Sequence, residues 1–152
     1  MFINTMMRQE KQVVSIDMGD SVYTACHRMT ENNVSLLVVV HNGAAGVETV
    51  GLFSEHDLTT KVLDCNLDPR KTMVAAAMSP IEVAVSPYDS VEHALKLLER
   101  HRLHHLPVVD NGRVIDILSI RQLYSLVNQA LASDLNHLRA YIGGDYSAPL
   151  PQ

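Results

Sequence analysis

"SIDMGDSVYTACHRMTENNVSLLVVVHNG", residues 15–43, and "AVSPYDSVEHALKLLERHRLHHLPVVDNG", residues 84–112, are two versions of one text. At a constant offset of 69 positions (84 − 15), Asp20-Ser21-Val22 falls on Asp89-Ser90-Val91, Ala25 on Ala94, Met29 on Leu98, and Asn42-Gly43 on Asn111-Gly112. Past that turn the offset drops to 65 (116 − 51), because the first copy carries four extra residues (69 − 65) in "AAGVETV". "GLFSEHDL", residues 51–58, then lies on "DILSIRQL", residues 116–123. An ordered series of matches with a single gap marks an internal repeat, and a repeat settles architecture before any single motif does.

Each copy carries the same succession of signals. A short strand (residues 13–16; 83–85) runs into an Asp-Ser helix start. Apolar residues then recur at helical spacing: Val22, Ala25 and Met29 in one copy, Val91, Ala94, Leu95 and Leu98 in the other. A second strand (36–40; 106–109), an Asn-Gly turn and a third strand follow, and a last helix starts near Ser54 or Ser119. The fold class expected is α+β: β-α-β-β-α twice, joined by residues 64–79. A unit of roughly 55 residues is marginal alone, so the two copies are expected to pack face to face about a pseudo-twofold axis. The expected divisions are 10–64 and 72–128 for the repeats and 129–152 for a helical extension ending in a loose tail.

Bulk properties narrow the classes of function. Of 152 residues, 47% are hydrophobic and 19% charged, a globular balance. The net charge of −5, with no stretch concentrating the 12 Lys and Arg, argues against nucleic acid as a partner. Cys26 and Cys65 form no C-x-x-C, which fits buried thiols in a reducing cytoplasm. The longest aliphatic run, residues 36–40, is far short of the roughly 20 residues that span a bilayer, so no membrane is expected. The start, "MFINTMMRQEKQ", has neither the apolar core nor the cleavage site of a secretory leader. No Ser-His-Asp or Cys-His arrangement and no phosphate-binding loop is present, and an enzyme is not expected.

"MSPIEVAVSPYDSVEHALKLLERHRLHHLPVVDNG" and "GLFSEHDL" together resemble a tandem pair of CBS domains, a Bateman module, here free-standing and of bacterial type, over about residues 10–128. The first repeat departs from the pattern with Val38 where Pro107 sits in the second. The resemblance implies a ribose-holding segment of the form G-h-h-[ST]-x-x-D at the start of the last helix. A carboxylate can accept from both ribose hydroxyls, and a helix N-terminus favours an anion nearby. Gly51, Ser54 and Asp57 match in full; the second repeat offers Asp116, Ser119 and Gln122. One site therefore reads as competent and its twin as degraded. The competing reading of Ser54 and Asp57 is a helix N-cap with an acidic first turn.

His101, His104 and His105 fall within five positions, close enough to raise the question of a metal. Their counterparts at 35 and 36 are Ser and Leu, and no Cys or carboxylate stands at ligand spacing, so no metal is expected. The resemblance extends instead to the nucleotide-sensing subunit of AMP-activated kinase, where His-Arg occupies the positions of His104 and His105 and approaches phosphate. It then implies one site with Asp57 of the first repeat facing His104 and His105 of the second. Leu52, Ile81, Glu82 and Val83 would surround the base, Pro107 would complete the wall, and Arg121 would reach phosphate. His105 in place of Arg is a weaker phosphate partner. The plainer alternative leaves both histidines as strand-entry residues bonded to backbone carbonyls.

The ligand so implied is AMP, ADP, ATP or another adenosyl compound, with no cofactor required, in a regulatory homodimer that signals through an unidentified partner. The rival is a structural or interaction dimer with vestigial sites. Beyond the repeats, Ala130, Leu131, Leu135, Leu138 and Ile142 prolong a helical apolar stripe before Gly143-Gly144. The stripe could fold back on its own module or meet a second chain.

Overall fold

The computed structural model of the chain describes residues 1–5, 7 and 13–143. The first repeat builds a three-stranded sheet from β1 (Ser15–Asp17), β2 (Leu36–Gly43) and β3 (Gly46–Ser54). β1 runs parallel to β2, with α1 (Val22–Asn32) as the crossover, and β2 and β3 form an antiparallel hairpin. Ser21 starts α1 because its Oγ accepts from the Thr24 N–H, and the left-handed Asn33 ends it. α2 (Glu55–Asp57) follows β3 and widens into a π-helical stretch, Leu58–Leu63. A short helix, α3 (Val74–Ala77), leads into the second repeat. That repeat contains α4 (Val91–His101), β4 (His105–Asp110), β5 (Arg113–Ser119) and α5 (Ile120–Gly143).

The internal symmetry reaches fine detail. Ser90 caps α4 through the His93 N–H as Ser21 caps α1. Arg102 takes the left-handed conformation of Asn33, at φ 53° against 51°. Each hairpin carries its irregularity at the same step, between Val39 and Val40 and between Val108 and Val109. Alternate strand residues and one helix face fill each core: Ile16, Leu37, Val39 and Phe53 with Ala25 in the first, Leu106, Val108 and Leu118 with Ala94 and Leu98 in the second.

Three features differ from the sequence expectation. The strand expected at residues 83–85 is reduced to one parallel bridge, Val85 to Val108. In the first repeat the Val38 N–H donates to Val14 O and the Met18 N–H to Val40 O. Pro107 and Pro87 occupy those two places in the second repeat, and proline has no N–H to give. Only the bonds from Val85 N to Pro107 O and from Val109 N to Val85 O survive.

Next, the expected Asn42-Gly43 turn lies inside the hairpin, with Asn42 opposite Val47. The four inserted residues lengthen both strands, and the chain reverses at Ala44-Ala45 before Gly46, whose φ of 114° suits glycine. Asn111-Gly112, at φ 50° and 75°, does make the tight turn of the second hairpin.

Finally, the joining segment is part of the core. Val74 and Ala77 of α3 are buried in the first repeat, whereas Ile3, from the 3-10 turn Ile3–Thr5, is buried in the second. Each lead-in thus crosses to cap the other repeat, with Val22 N–H bonded to Thr72 O and Val91 N–H to Met1 O. The tail "SAPLPQ" and residues 10–12 of the expected first repeat lie outside the described residues.

Candidate functional site

β3 delivers Ser54 to the start of α2, where Ser54 and Asp57 form a reciprocal capping box. The Asp57 N–H donates to Ser54 Oγ at 3.2 Å, and Asp57 Oδ2 accepts from the Ser54 N–H at 3.0 Å and sits 3.0 Å from Ser54 Oγ. The other carboxylate oxygen, Oδ1, accepts from Ser79 Oγ at 2.7 Å and pairs with Lys61 Nζ at 3.0 Å. Lys61 Nζ also donates to Ser79 Oγ at 2.7 Å and to the Met78 carbonyl at 3.3 Å. The spacing of Asp57 and Lys61 is the i, i+4 pairing of a helix surface, here turned onto the chain between the repeats.

Gly51 belongs to the same latch. Leu52 and Ser79 exchange both backbone bonds, each 2.8 Å, and a Cβ on Gly51 would stand 2.7 Å from the Ser79 carbonyl oxygen. The glycine therefore admits backbone, and the Gly-Ser-Asp signature as a whole grips Ser79.

Asp57 is buried, at 4% exposed. Burial pushes its carboxyl up, but hydrogen bonds from Ser79, Lys61 and Ser54 and the Lys61 charge outweigh that and hold it below the ordinary range.

Beside this latch lies a cleft of about 770 Å³ between the repeats. Leu52, Ser54, Asp57, Ile81, Glu82, Val83, His104, His105 and Pro107 all line it, so the structure brings together nine of the residues singled out from the sequence. Gly51 lies behind the wall, against Ser79, and Arg121 is exposed on the first turn of α5 and does not line the cleft. Arg121 sits in its repeat where His56 sits in the first (56 + 65). Lys61, Ser79, His101 and Arg102 also line it and were not expected as site residues. The i, i+4 step from Asp57 was the sequence signal for Lys61; Ser79, 22 positions from Asp57, gave none.

Both repeats contribute ionisable side chains to this cleft. Glu55, His56, Asp57 and Lys61 come from the first, and Glu82, His101 at the end of α4, Arg102, His104 and His105 from the second. His105 Nε2 lies 3.2 Å from Ser35 Oγ across the repeat boundary. Burial lowers its pKa below the ordinary value, the neighbouring His104 adds to that, and Glu55 opposes it.

A second, smaller cleft of about 510 Å³ is lined by Asn33, Ser35, His105, Asp116, Ser119 and Gln122 among others. Its helix start has the same capping box in neutral form: the Ser119 N–H donates to Gln122 Oε1 and the Gln122 N–H to Ser119 Oγ, both 3.1 Å. Asp116 Oδ1 accepts from the Ile117 N–H at 2.7 Å. That is the counterpart of the Leu52 N–H that Ser79 occupies in the first repeat. Among the described residues, neither Lys nor Arg lines this cleft. Among the described residues, no group of three or more His, Cys, Asp or Glu is placed to hold a metal ion.

The CBS-domain family model matches residues 5–64 and 74–128. The chain belongs to the CBS-domain family. It is 31% identical over 129 residues to the mitochondrial CBS domain-containing protein CBSX3 of Arabidopsis thaliana, covering 84% of this chain and 62% of that protein. The chain thus spans less than two thirds of that relative's length. A putative signal-transduction protein with CBS domains from Burkholderia ambifaria superposes with a TM-score of 0.75 at 27% identity, over 84% of this chain and 93% of that one. A further CBS-domain crystal structure superposes at 0.74 and 28% identity, over 86% of this chain and 98% of that one. Tandem CBS domains are typically regulatory and nucleotide-binding, and proteins built from them are in general non-catalytic. Among the described residues, no helix is long and apolar enough to cross a membrane.

Proposed function

We propose that this CBS pair is a non-catalytic sensor that takes an adenine nucleotide, AMP, ADP, ATP or a related adenosyl compound, in the larger cleft. The observation that carries the reading is the pairing in that cleft of a carboxylate on one repeat with Arg102 and three histidines on the other. A volume of about 770 Å³ suits a nucleotide-sized ligand. Apolar Leu52, Ile81, Val83 and Pro107 supply a wall for a base.

Ribose hydroxyls that bond Asp57 must compete with Ser79 Oγ for Oδ1. Ligand binding would therefore loosen the hold on Ser79, which lies two residues beyond α3 and its anchors Val74 and Ala77. We propose this exchange as the means by which occupancy reaches a partner protein, with the module acting as a homodimer in a reducing, cytoplasmic setting. Cys26 and Cys65 are free thiols, but Cys65 is exposed and Cys26 only partly buried, which corrects the expectation of two buried thiols.

One observation favours the alternative, an interaction module with vestigial sites: both Asp57 oxygens already have partners within the chain. Thermal-shift titration with AMP, ADP, ATP and S-adenosylmethionine separates the readings. A ligand at 100 times its dissociation constant stabilises the fold by about 2.7 kcal/mol. A flat response to all four compounds supports the alternative.

A further inference from the structure

Every residue from 131 to 143 is exposed, so the distal half of α5 projects from the module and does not fold back on it. Its large aliphatic residues are Leu131, Leu135, Leu138 and Ile142, each between 53% and 56% exposed. Their spacing is 4, 3, 4. That is the alternation of the d and a positions of a heptad, with Asn128 at the preceding a. A helix packed on a globular core needs a wider stripe; a two-position seam is the geometry of helices that coil about one another.

We propose that residues 128–143 form a parallel two-stranded coiled coil with the same segment of a second copy of this chain. The flanking charges select both the occupant and its direction. In this register Asp134 is a g residue and Arg139 the e residue of the next heptad, five positions on. In a parallel pair, g of one helix meets that following e of the other, so Asp134 faces Arg139 of the second copy, twice by symmetry. In an antiparallel pair g meets g and e meets e, which opposes like charges here. The lone Asn128 at an a position is the device by which two-stranded coils fix register. Short helices are marginal alone, but this one grows from a helix already anchored by Leu123 in the second core. The proposal is independent of the nucleotide reading.

Sedimentation velocity of the full chain at micromolar concentration tests it. The wild type is expected to be a dimer, and Leu135→Glu with Leu138→Glu to raise the dissociation constant by at least about 100-fold. Asp134→Arg alone and Arg139→Asp alone are each expected to weaken the dimer by about 3- to 10-fold, more at low salt. The double exchange D134R/R139D restores it, and mixing the two single variants yields heterodimers. A monomeric wild type overturns the proposal, as does a dimer indifferent to L135E/L138E. Failure of the double exchange to restore affinity overturns the parallel arrangement.

Discussion

The starts of the two last helices have the same backbone plan and different consequences. Ser54 with Asp57 and Ser119 with Gln122 close the same capping box, with bonds of 3.0 to 3.2 Å in both. In the first repeat the capping residue is also a buried anion that takes hold of Lys61 and Ser79. In the second it is a neutral amide, and Asp116 bonds the adjoining Ile117 N–H. The cap is what the fold requires of this position twice. The ionised latch, with a basic strand entry facing it across a cleft, is what only one repeat has.

The largest effect expected is on the latch. Asp57→Ala strands a partly buried ammonium and the Ser54 N–H, and should cost about 2–4 kcal/mol in urea unfolding. Gln122→Ala removes only a cap contact and should cost about 0.5–1.5 kcal/mol. Equal costs would mean that the carboxylate does no more than the amide.

Gly51→Ala probes the same contrast through backbone. Its methyl group would stand 2.7 Å from the Ser79 carbonyl oxygen, so the strand or the linker must shift. The expected loss is about 1–3 kcal/mol. A tolerated Gly51→Ala would show that the linker yields freely.

How far the sequence carried can be seen residue by residue. The offset of 69 placed both helices, both hairpins and the caps Ser21 and Ser90, because these depend on local periodicity and short-range hydrogen bonding. What brought Asp57 and His105 to one cleft in the sequence reading was the resemblance to the kinase subunit, not the offset, and both do line it. The offset failed where a contact crosses between segments. Val74–Ala77 and the turn that holds Ile3 are too short to show a period, yet each fills the other repeat's core. The bond from Ser79 to Asp57 depends on that crossing, and nothing near Asp57 in the sequence announces its burial. The lost strand at 83–85 was legible in principle, since Pro87 and Pro107 were in plain view.

Acidity gives the next, smaller effect, and the two groups act in separate windows. Asp57 is held below its ordinary 3.8, so its stabilisation is complete above that pH and disappears as the pH falls through the folded-state value. His105 is held below its ordinary 6.5, so the unfolded chain takes the proton first. Stability should decline as the pH falls below about 6.5 and level off once the folded form protonates too. A His105→Gln variant should lack that upper step in urea midpoints measured from pH 8 to pH 5. An unchanged step would assign it to another group. Nucleotide phosphate favours imidazolium, so affinity should move the opposite way, rising from pH 8 to pH 6.

The central claim is that one cleft per chain binds nucleotide and that Asp57 is its ribose contact. Isothermal titration of AMP or ATP into the full chain, Asp57→Asn and Gln122→Ala tests it most directly, since Asn keeps the shape of the capping residue without its charge. The account predicts one site per chain, an affinity about 10- to 150-fold lower for Asp57→Asn, and a value within about 2-fold of wild type for Gln122→Ala. Two equal sites per chain, equal losses in the two variants, or no binding of either nucleotide by the wild type would contradict it.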